Sequence, residues 1–328
     1  MSPISHAMRH PLPAEYKRSI PAGPLFSRVN QVLEEGSLNT ICVSGKCPNR
    51  GECFSRGSLA FMILGDICTR RCGFCAVATG RPDSIDPTEP ERLARAAADL
   101  QLRHVVITSV ARDDLADGGA SVFAACIQAL RRRLPETLIE VLTPDFNGDT
   151  ASLDIVLQAQ PDIYNHNIET VERLTPRVRA RARYRRTLDV LRYAKDHRND
   201  QSMKTKSGLM LGLGEDRGEI TQTLRDLRGA GCDYLTIGQY LQPSSEHLTI
   251  RSFVPVEDFH VWKDEAFRLG FERVASGPLV RSSYFADQLH NNTIPSPLVG
   301  EGAGWGVGSF ATTPPPQSSP TRGEEVRG

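Results

Sequence analysis

The stretch Phe61-Met-Ile-Leu-Gly-Asp-Ile-Cys-Thr-Arg-Arg-Cys-Gly-Phe-Cys75 joins a short apolar run to a loop with three cysteines. The apolar run predicts a buried β-strand. The loop leaves three residues between its first two thiolates and two between the last two, so it can fold around one iron–sulfur cubane and bind three of its four irons. A pure electron carrier normally closes its cluster with four cysteines, so an open fourth iron indicates chemistry at the cluster.

A second triad precedes this loop. Six of the eight cysteines thus form two groups: Cys42, Cys47 and Cys53, then Cys68, Cys72 and Cys75. Structural zinc usually takes four Cys or His ligands, and neither triad has a fourth ligand nearby. Disulfides need an oxidising compartment, yet no apolar signal segment follows Met1. We therefore expect thiolates that bind two iron–sulfur clusters in the cytoplasm, with Cys126 and Cys232 as core residues.

The composition is that of a soluble enzyme. Lys plus Arg equal Asp plus Glu at 39 each, and 39% of the residues are hydrophobic. The zero net charge gives no general reason to expect nucleic acid or a membrane as partner. No apolar run approaches the roughly 20 residues that a membrane-spanning helix needs. We therefore expect a cytoplasmic protein whose large domain buries a sizeable core.

Short apolar runs alternate with amphipathic stretches along the chain. The predicted strands cover residues 59–64, 104–108, 138–143, 162–167, 206–211 and 234–238, with helices between them, for example over 119–134. Unbroken apolar strands that alternate with helices predict a parallel sheet covered by helices. Six such units predict an α/β fold, a partial (β/α)6 barrel of the TIM type, with the active site at the carboxyl ends of the strands.

Three segments are expected along the chain. Residues 1–57 form an N-terminal extension that carries an auxiliary iron–sulfur loop, and residues 58–290 form the barrel. Residues 291–328 are rich in Pro, Gly and Ser and keep no apolar periodicity, so they predict a disordered tail.

The cysteine loop resembles that of the radical S-adenosylmethionine (SAM) superfamily, and Cys42-x4-Cys47-Pro-Asn-x3-Cys53 is similar to the auxiliary-cluster motif of the lipoyl synthase family. Further similar motifs are Val106-Ile-Thr-Ser109, Asp117-Gly-Gly119, Asn165-His-Asn-Ile-Glu-Thr170, Thr205-Lys-Ser-Gly-Leu-Met210, Gly238-Gln-Tyr-Leu-Gln-Pro-Ser244 and Arg281-Ser-Ser-Tyr284. The resemblance implies a sulfurtransferase that attaches sulfur at C6 and C8 of a protein-bound octanoyl chain. Those C–H bonds are unactivated, so a cofactor-derived radical is needed.

The resemblance also implies cofactors and partners. A [4Fe–4S] cluster on Cys68, Cys72 and Cys75 would cleave SAM to a 5′-deoxyadenosyl radical. A second [4Fe–4S] cluster, on the auxiliary triad, would donate the sulfur. Expected partners are the octanoylated carrier domains of 2-oxoacid dehydrogenase E2 subunits, the glycine cleavage H protein, and a ferredoxin- or flavodoxin-type reductant.

Polar residues at the ends of the predicted strands are expected to bind the cofactor. They are Ser109, Arg112, Asp117, Gly118, Gly119, Asn165, Asn167, Glu169, Lys206 and Gln239. An isolated Gly-Gly pair favours an ordinary turn, but its place after a barrel strand favours binding. For His166, a core role and an outward orientation both remain open.

A serine is expected to complete the auxiliary cluster, because one iron has no cysteine and the resemblance places a ligand in Arg281-Ser-Ser-Tyr284. Spacing does not separate Ser282 from Ser283, and the resemblance favours Ser283. The alternative is that this serine caps a helix.

Seven arginines lie within a short segment: Arg173, Arg177, Arg179, Arg181, Arg183, Arg185 and Arg186. Most such runs are solvated faces. We expect this one to dock the carrier domain. Two other functions remain open: a sulfur-inserting radical enzyme that acts on a free small molecule, and a non-enzymatic iron–sulfur electron carrier.

Overall fold

The structure is a computed structural model that describes Tyr16 and residues 23–179, 181–197 and 202–284. The predicted disordered tail, residues 291–328, lies outside the described residues, as does most of the segment before residue 23. The boundary predicted between residues 57 and 58 stays a prediction.

Ten strands are present in the described part of the chain: β1 Asn39–Thr40, β2 Ala60–Ile63, β3 Ile67–Cys68, β4 Ala78–Thr79, β5 His104–Ser109, β6 Leu138–Leu142, β7 Ile163–Asn165, β8 Lys204–Leu211, β9 Tyr234–Gln239 and β10 Arg273–Gly277. The α-helices there are α1 Pro24–Glu35, α2 Ile41–Ser44, α3 Arg50–Ser55, α4 Glu89–Asp99, α5 Ala120–Arg133, α6 Thr150–Gln158, α7 Thr175–Val178, α8 Tyr184–Asp196, α9 Arg217–Gly229 and α10 Val256–Arg268. Short 3-10 helices span Phe146–Gly148 and Glu172–Leu174.

Eight of the strands form one sheet in the order β1-β2-β5-β6-β7-β8-β9-β10. Strands β2 and β5 to β10 are parallel neighbours, and β1 pairs antiparallel with β2. Spatial order follows chain order, so each connection crosses over through a helix in the same direction. This confirms the predicted α/β partial barrel.

Strand β10 was not predicted and adds a seventh parallel strand. Its sequence, Arg-Val-Ala-Ser-Gly, has only two apolar side chains, which are too few for the apolar run that predicts a buried strand. It forms because β9 offers a free edge, with Val274 paired to Leu235.

The core lies between the sheet and its helices. Helix α5 buries a stripe that includes Phe123, Cys126 and Ile127, and Cys232 is also fully buried, so both core cysteines are as predicted. Helix α9 begins with a capping box of Asp216 and Glu219. Within the described residues, no helix is both long and apolar enough to cross a membrane.

Candidate active site

A cavity of about 490 Å³ opens at the carboxyl ends of the parallel strands. This is where a parallel barrel places its active site, because the strand-to-helix loops all emerge there. The predicted site residues that line it are Cys42, Cys47, Cys68, Cys72, Cys75, Ser109, Asn167, Glu169, Gln239 and Ser283. Members of both cysteine triads therefore face one space, although the triads lie in different segments of the chain.

The loop with Cys68, Cys72 and Cys75 is held by backbone hydrogen bonds. The Cys68 Sγ accepts from the backbone N–H of Arg70 at 3.4 Å and of Ala111 at 3.3 Å. The Cys75 N–H donates to the Cys72 carbonyl at 3.1 Å, which closes the turn between these two thiols. Burial raises the pKa of the Cys75 thiol to about 12. Iron binding would favour the thiolate here, because a nearby cation lowers the pKa of a thiol.

The auxiliary triad lines a second, smaller cavity. Cys42 lies on α2, Cys53 lies on α3, and Cys47 lies in the turn between them. All three line this small cavity together with Ser283. Burial raises the pKa of Cys47 and of Cys53, and the neighbouring thiols raise both further, because adjacent thiolates would repel.

The two serines of Arg281-Ser-Ser-Tyr284 have different environments. The Ser282 Oγ accepts a hydrogen bond from Asn167 Nδ2 at 2.5 Å, and Ser282 lines only the large cavity. Ser283 lines both cavities. Only Ser283 of the pair therefore borders all three auxiliary thiols.

Unpartnered polar atoms also border the large cavity. Asn167 donates to Glu169 Oε1 at 3.0 Å and to Ser282, but its own Oδ1 is buried without a hydrogen-bond partner in the described structure. The buried Ser109 Oγ is in the same state. Buried polar groups are normally satisfied, so these two atoms fit a polar ligand such as SAM.

Four residues predicted to bind the cofactor lie outside the cavity lining, and their binding role stays a prediction. Arg112 donates to Asp114 at 2.9 Å and to two backbone carbonyls. The Asp117 carboxylate accepts from the N–H groups of Gly119 and Ser121 where α5 begins, and Gly118 and Gly119 form that turn with φ of 59° and 91°. In this structure, the Asp117-Gly-Gly119 motif therefore forms the turn that begins α5.

Asn165 and Lys206 also lie outside the cavity lining, and their predicted binding role likewise stays a prediction. The Lys206 ammonium lies 2.9 and 3.0 Å from the two Glu140 oxygens, and Asn165 Nδ2 donates to Glu140 at 2.8 Å. Burial would raise the pKa of Glu140, but Lys206 and His104 lower it to about 2. These residues form a buried polar group inside the barrel. Asn165 and Lys206 lie two positions before the cavity-lining residues Asn167 and Gly208, and residues two apart on a strand share a face, so depth along the strands separates them from the cavity.

Gln239 lines the cavity but is also hydrogen-bonded to the chain that follows β9. It donates to the Ser252 carbonyl at 3.0 Å and accepts from the Val254 N–H at 2.9 Å. His166 is buried, with Nδ1 2.8 Å from the Thr143 carbonyl. Burial and Arg179 lower the pKa of His166 to about 4, so the ring is neutral at pH 7. These contacts fit a structural role, and His166 also lines the cavity, so both roles stay open.

Sequence reasoning missed the charged group that anchors the loop with Cys68, Cys72 and Cys75. Arg70, within that loop, donates to both Asp113 oxygens and lies 2.7 Å from Asp145. Burial would raise the pKa of Asp145, but Arg70 lowers it to about 2. The sequence signal for this group was the Arg70-Arg71 pair between two cysteines, because arginines beside metal-binding thiols indicate ion pairs with nearby carboxylates.

The arginine run does not form one surface. Arg179 is buried, lines the cavity and donates to Thr187 Oγ1 at 2.8 Å, so it does not belong to a docking face. Arg186 is partly buried and paired with Asp145. The other five are exposed: Arg173, Arg177, Arg181, Arg183 and Arg185.

The donor set fits iron–sulfur clusters. Within the described residues, no three Cys, His, Asp or Glu side chains converge closely enough to hold one metal ion. Instead, the small cavity is bordered by three thiols and the Ser283 hydroxyl, and the large cavity by the three thiols of the second triad and two of the first. Thiolate sulfur is the usual protein ligand of a [4Fe–4S] cluster.

Comparison with known proteins agrees with this donor set. The model of the radical SAM superfamily matches residues 62–227. The chain is similar in fold to methylornithine synthase, with a TM-score of 0.50 and 15% identity over 76% of this chain and 78% of that one. It also resembles SuiB of Streptococcus suis bound to S-adenosylmethionine, with a TM-score of 0.50 and 14% identity over 67% of this chain and 51% of that one.

Curated relatives are much more similar in sequence. Lipoyl synthase of Rubrobacter xylanophilus is 52% identical over 280 residues, which cover 85% of this chain and 87% of the relative. Lipoyl synthase of Thermus thermophilus is 53% identical over 279 residues, which cover 84% and 86%. Because these relatives are more than 50% identical over more than four fifths of this chain, the chain belongs to the lipoyl synthase family of the radical SAM superfamily.

Proposed function

We propose that this protein is a sulfurtransferase that inserts two sulfur atoms, at C6 and C8, into a protein-bound octanoyl group to give a lipoyl group. The observation that carries the proposal is that one cavity is bordered by Cys68, Cys72 and Cys75 and also by two of the auxiliary cysteines, Cys42 and Cys47. A chain held in that cavity lies between a radical source and a sulfur source. The relatives named lipoyl synthase support this assignment.

The residues present can hold both clusters. Cys68, Cys72 and Cys75 would hold the SAM-binding cluster, and Cys42, Cys47, Cys53 and Ser283 would hold the auxiliary one. When bound, the first cluster supplies the electron that cleaves SAM to the 5′-deoxyadenosyl radical, and the second is the sulfur-donating substrate. The unpartnered Asn167 Oδ1 and Ser109 Oγ would receive polar groups of SAM.

Apolar side chains on the cavity wall suit the octanoyl chain. Ile41, Leu142, Met210 and Leu241 all border the cavity. An aliphatic chain gains free energy when it leaves water for such a lining, about 0.8 kcal/mol for each buried CH₂ group. These contacts would hold C6 and C8 near the radical without any polar contact to those carbons.

The test is anaerobic reconstitution with iron, sulfide, SAM and reductant, followed by mass spectrometry of an octanoyl-lysine peptide. Two added sulfur atoms are expected. Octanoic acid, tested in parallel, distinguishes an enzyme for free small molecules. An iron–sulfur protein whose paramagnetic resonance spectrum does not respond to SAM would instead be an electron carrier.

Carrier docking is the finer part of the proposal. Arg181 and Arg183 are exposed next to Ala182, which lines the cavity, so a carrier bound there would present its octanoyl arm at the opening. The expected carriers are E2 subunits of 2-oxoacid dehydrogenases and the glycine cleavage H protein. The reductant would be of the ferredoxin or flavodoxin type.

Charge reversal tests the docking site. Arg181→Glu with Arg183→Glu should raise KM for a carrier protein severalfold and leave turnover of a short octanoyl peptide unchanged. The matched control is Arg95→Glu with Arg225→Glu, because both of these arginines are exposed on helices α4 and α9. Unchanged carrier kinetics in the first variant would reject the site.

A further inference from the structure

The segment after β10 returns to the N-terminal extension and is held there by two side chains. Asn49 Nδ2 donates to the Leu279 carbonyl at 2.6 Å. The Tyr284 hydroxyl donates to Glu52 Oε2 at 3.2 Å. Both contacts join residues more than two hundred positions apart, and they lie on either side of Ser283.

Asn49 forgoes a local hydrogen bond to make this contact. It occupies the N-cap position of α3, the helix that carries Cys53, but its side chain makes no capping hydrogen bond there. Asparagine at this position normally accepts from the first turn of its own helix. Asn49 is 1% exposed, and its Oδ1 has no partner in the described structure. The Asn49 side chain thus bonds the Leu279 backbone and leaves the first turn of α3 without a side-chain cap.

Close packing holds the same segment from the opposite side. A Cβ atom at Gly238, in β9, would lie 2.0 Å from the Val280 carbonyl oxygen, so only glycine permits this approach. The segment therefore lies between the end of the barrel sheet and the auxiliary loop. Asn49, Ser283 and Tyr284 all border the small cavity with the three auxiliary thiols.

We propose that Asn49, Glu52 and Tyr284 act as a clasp that positions the Ser283 oxygen against the auxiliary cysteines. The inference rests on the proposed role of Ser283. An oxygen ligand is a poorer match than thiolate for iron in a sulfide cluster. The weak iron–oxygen bond must therefore be supported by the position of the serine. The clasp holds the Ser283 oxygen in place until sulfur is released. Asn49, Glu52 and Tyr284 are positioning residues and do not touch the substrate.

The test measures how firmly the fourth iron is held. The full chain with Cys68→Ala, Cys72→Ala and Cys75→Ala would carry only the auxiliary cluster. After anaerobic reconstitution, mild oxidation removes the least firmly bound iron, and paramagnetic resonance follows the three-iron form. Asn49→Ala and Tyr284→Phe should each speed this conversion severalfold with unchanged initial iron content. Glu52→Gln, which weakens the acceptor without removing the side chain, should have a smaller effect of the same sign.

Combination with Ser283→Ala separates positioning from general loosening. Ser283→Ala alone should give the fastest conversion, and adding Tyr284→Phe or Asn49→Ala to it should change nothing further, because nothing remains to be positioned. Additive effects would mean that the clasp merely supports the auxiliary loop, which would overturn the proposal.

A matched control is Tyr193→Phe. Tyr193 lies on α8, and its hydroxyl also donates to a carboxylate, that of Asp154 on α6. It should convert at the parent rate. Clasp variants that also convert at the parent rate, while Ser283→Ala is fast, would reject the clasp and keep the serine ligand. A parent rate in Ser283→Ala itself would reject both assignments.

Discussion

Asn165 and Lys206 are paired across strands β7 and β8, and both side chains bond the same buried carboxylate, Glu140. Lys206 and Glu140 are almost fully buried, so their charges are shielded from water and depend on each other. An ion pair of this kind is destabilising to break, because the remaining charge is left without a partner.

Removal of Lys206 should therefore destabilise the fold strongly. Lys206→Met should lower the free energy of unfolding by about 3–5 kcal/mol, measured by urea titration. Lys204→Met is the control, because Lys204 lies on the same strand but its ion pair with Glu272 is partly exposed, and it should lose less than about 1 kcal/mol. Addition of Glu140→Gln to Lys206→Met should restore part of the loss. A loss as small as that of the control would contradict the buried-pair interpretation.

The same pair predicts a pH dependence. The pKa of Glu140 falls from 4.5 to about 2 on folding, so its ion pair stabilises the fold fully above about pH 4.5. That contribution should be lost progressively as the pH falls from 4.5 towards 2. In the Lys206→Met, Glu140→Gln double variant, the corresponding part of the pH dependence should disappear.

The two cysteine triads should respond differently to substitution. Cys68→Ala, Cys72→Ala or Cys75→Ala should each abolish SAM cleavage, since alanine provides no ligand for iron. Combined substitution of Cys42, Cys47 and Cys53 should abolish sulfur insertion and leave some formation of 5′-deoxyadenosine, measured by chromatography. Cys126→Ala, in the core, should keep the iron content. Lipoyl product from the auxiliary variant would show that sulfur comes from elsewhere.

The serine assignment can be tested in the loaded enzyme. Ser283→Cys should preserve iron but suppress sulfur transfer, because thiolate binds iron more firmly than an alkoxide does. Ser283→Ala should also impair sulfur transfer. Ser282→Ala serves as the comparison, since it removes the acceptor for Asn167 but leaves Ser283 beside the thiols. Normal sulfur transfer in both Ser283 variants would move attention to Ser282 or to no serine.

Gly119 should be a folding residue and not a ligand contact. A Cβ there would lie 2.3 Å from Leu64 Cδ1, and the residue has a φ of 91°. Gly119→Ala should therefore lower the melting temperature while KM for SAM stays unchanged in the folded fraction. Gly229→Ala is the control, because it lies in helix α9 with no atom near the added methyl group, and it should stabilise by roughly 0.5–1 kcal/mol. A higher KM for SAM in Gly119→Ala would restore the binding role.

The sequence alone determined the features that depend on residues close together in the chain and on the periodicity of apolar residues. Thiol spacing within each triad set the kind of cofactor, because loop length limits which irons a loop can reach. Apolar runs alternating with helical patterns determined the parallel sheet, and the Asp216 capping box marked a helix start. These signals act over a few residues, so they can be recognised without the fold.

Only the tertiary structure decided which polar residues border the cavity. Asn167 borders it and Asn165 does not, because Asn165 lies two positions earlier, within β7, where it bonds Glu140, and the sequence does not say at which depth the strand ends and the cavity begins. The burial of Arg179, the edge pairing of β10 and the place of Ser283 beside the auxiliary thiols likewise depend on distant segments. Asn49 shows the same principle, since its contact with Leu279 overrides its local preference to cap α3. Contacts between residues far apart in sequence form only when the whole chain is folded, and they assembled the site.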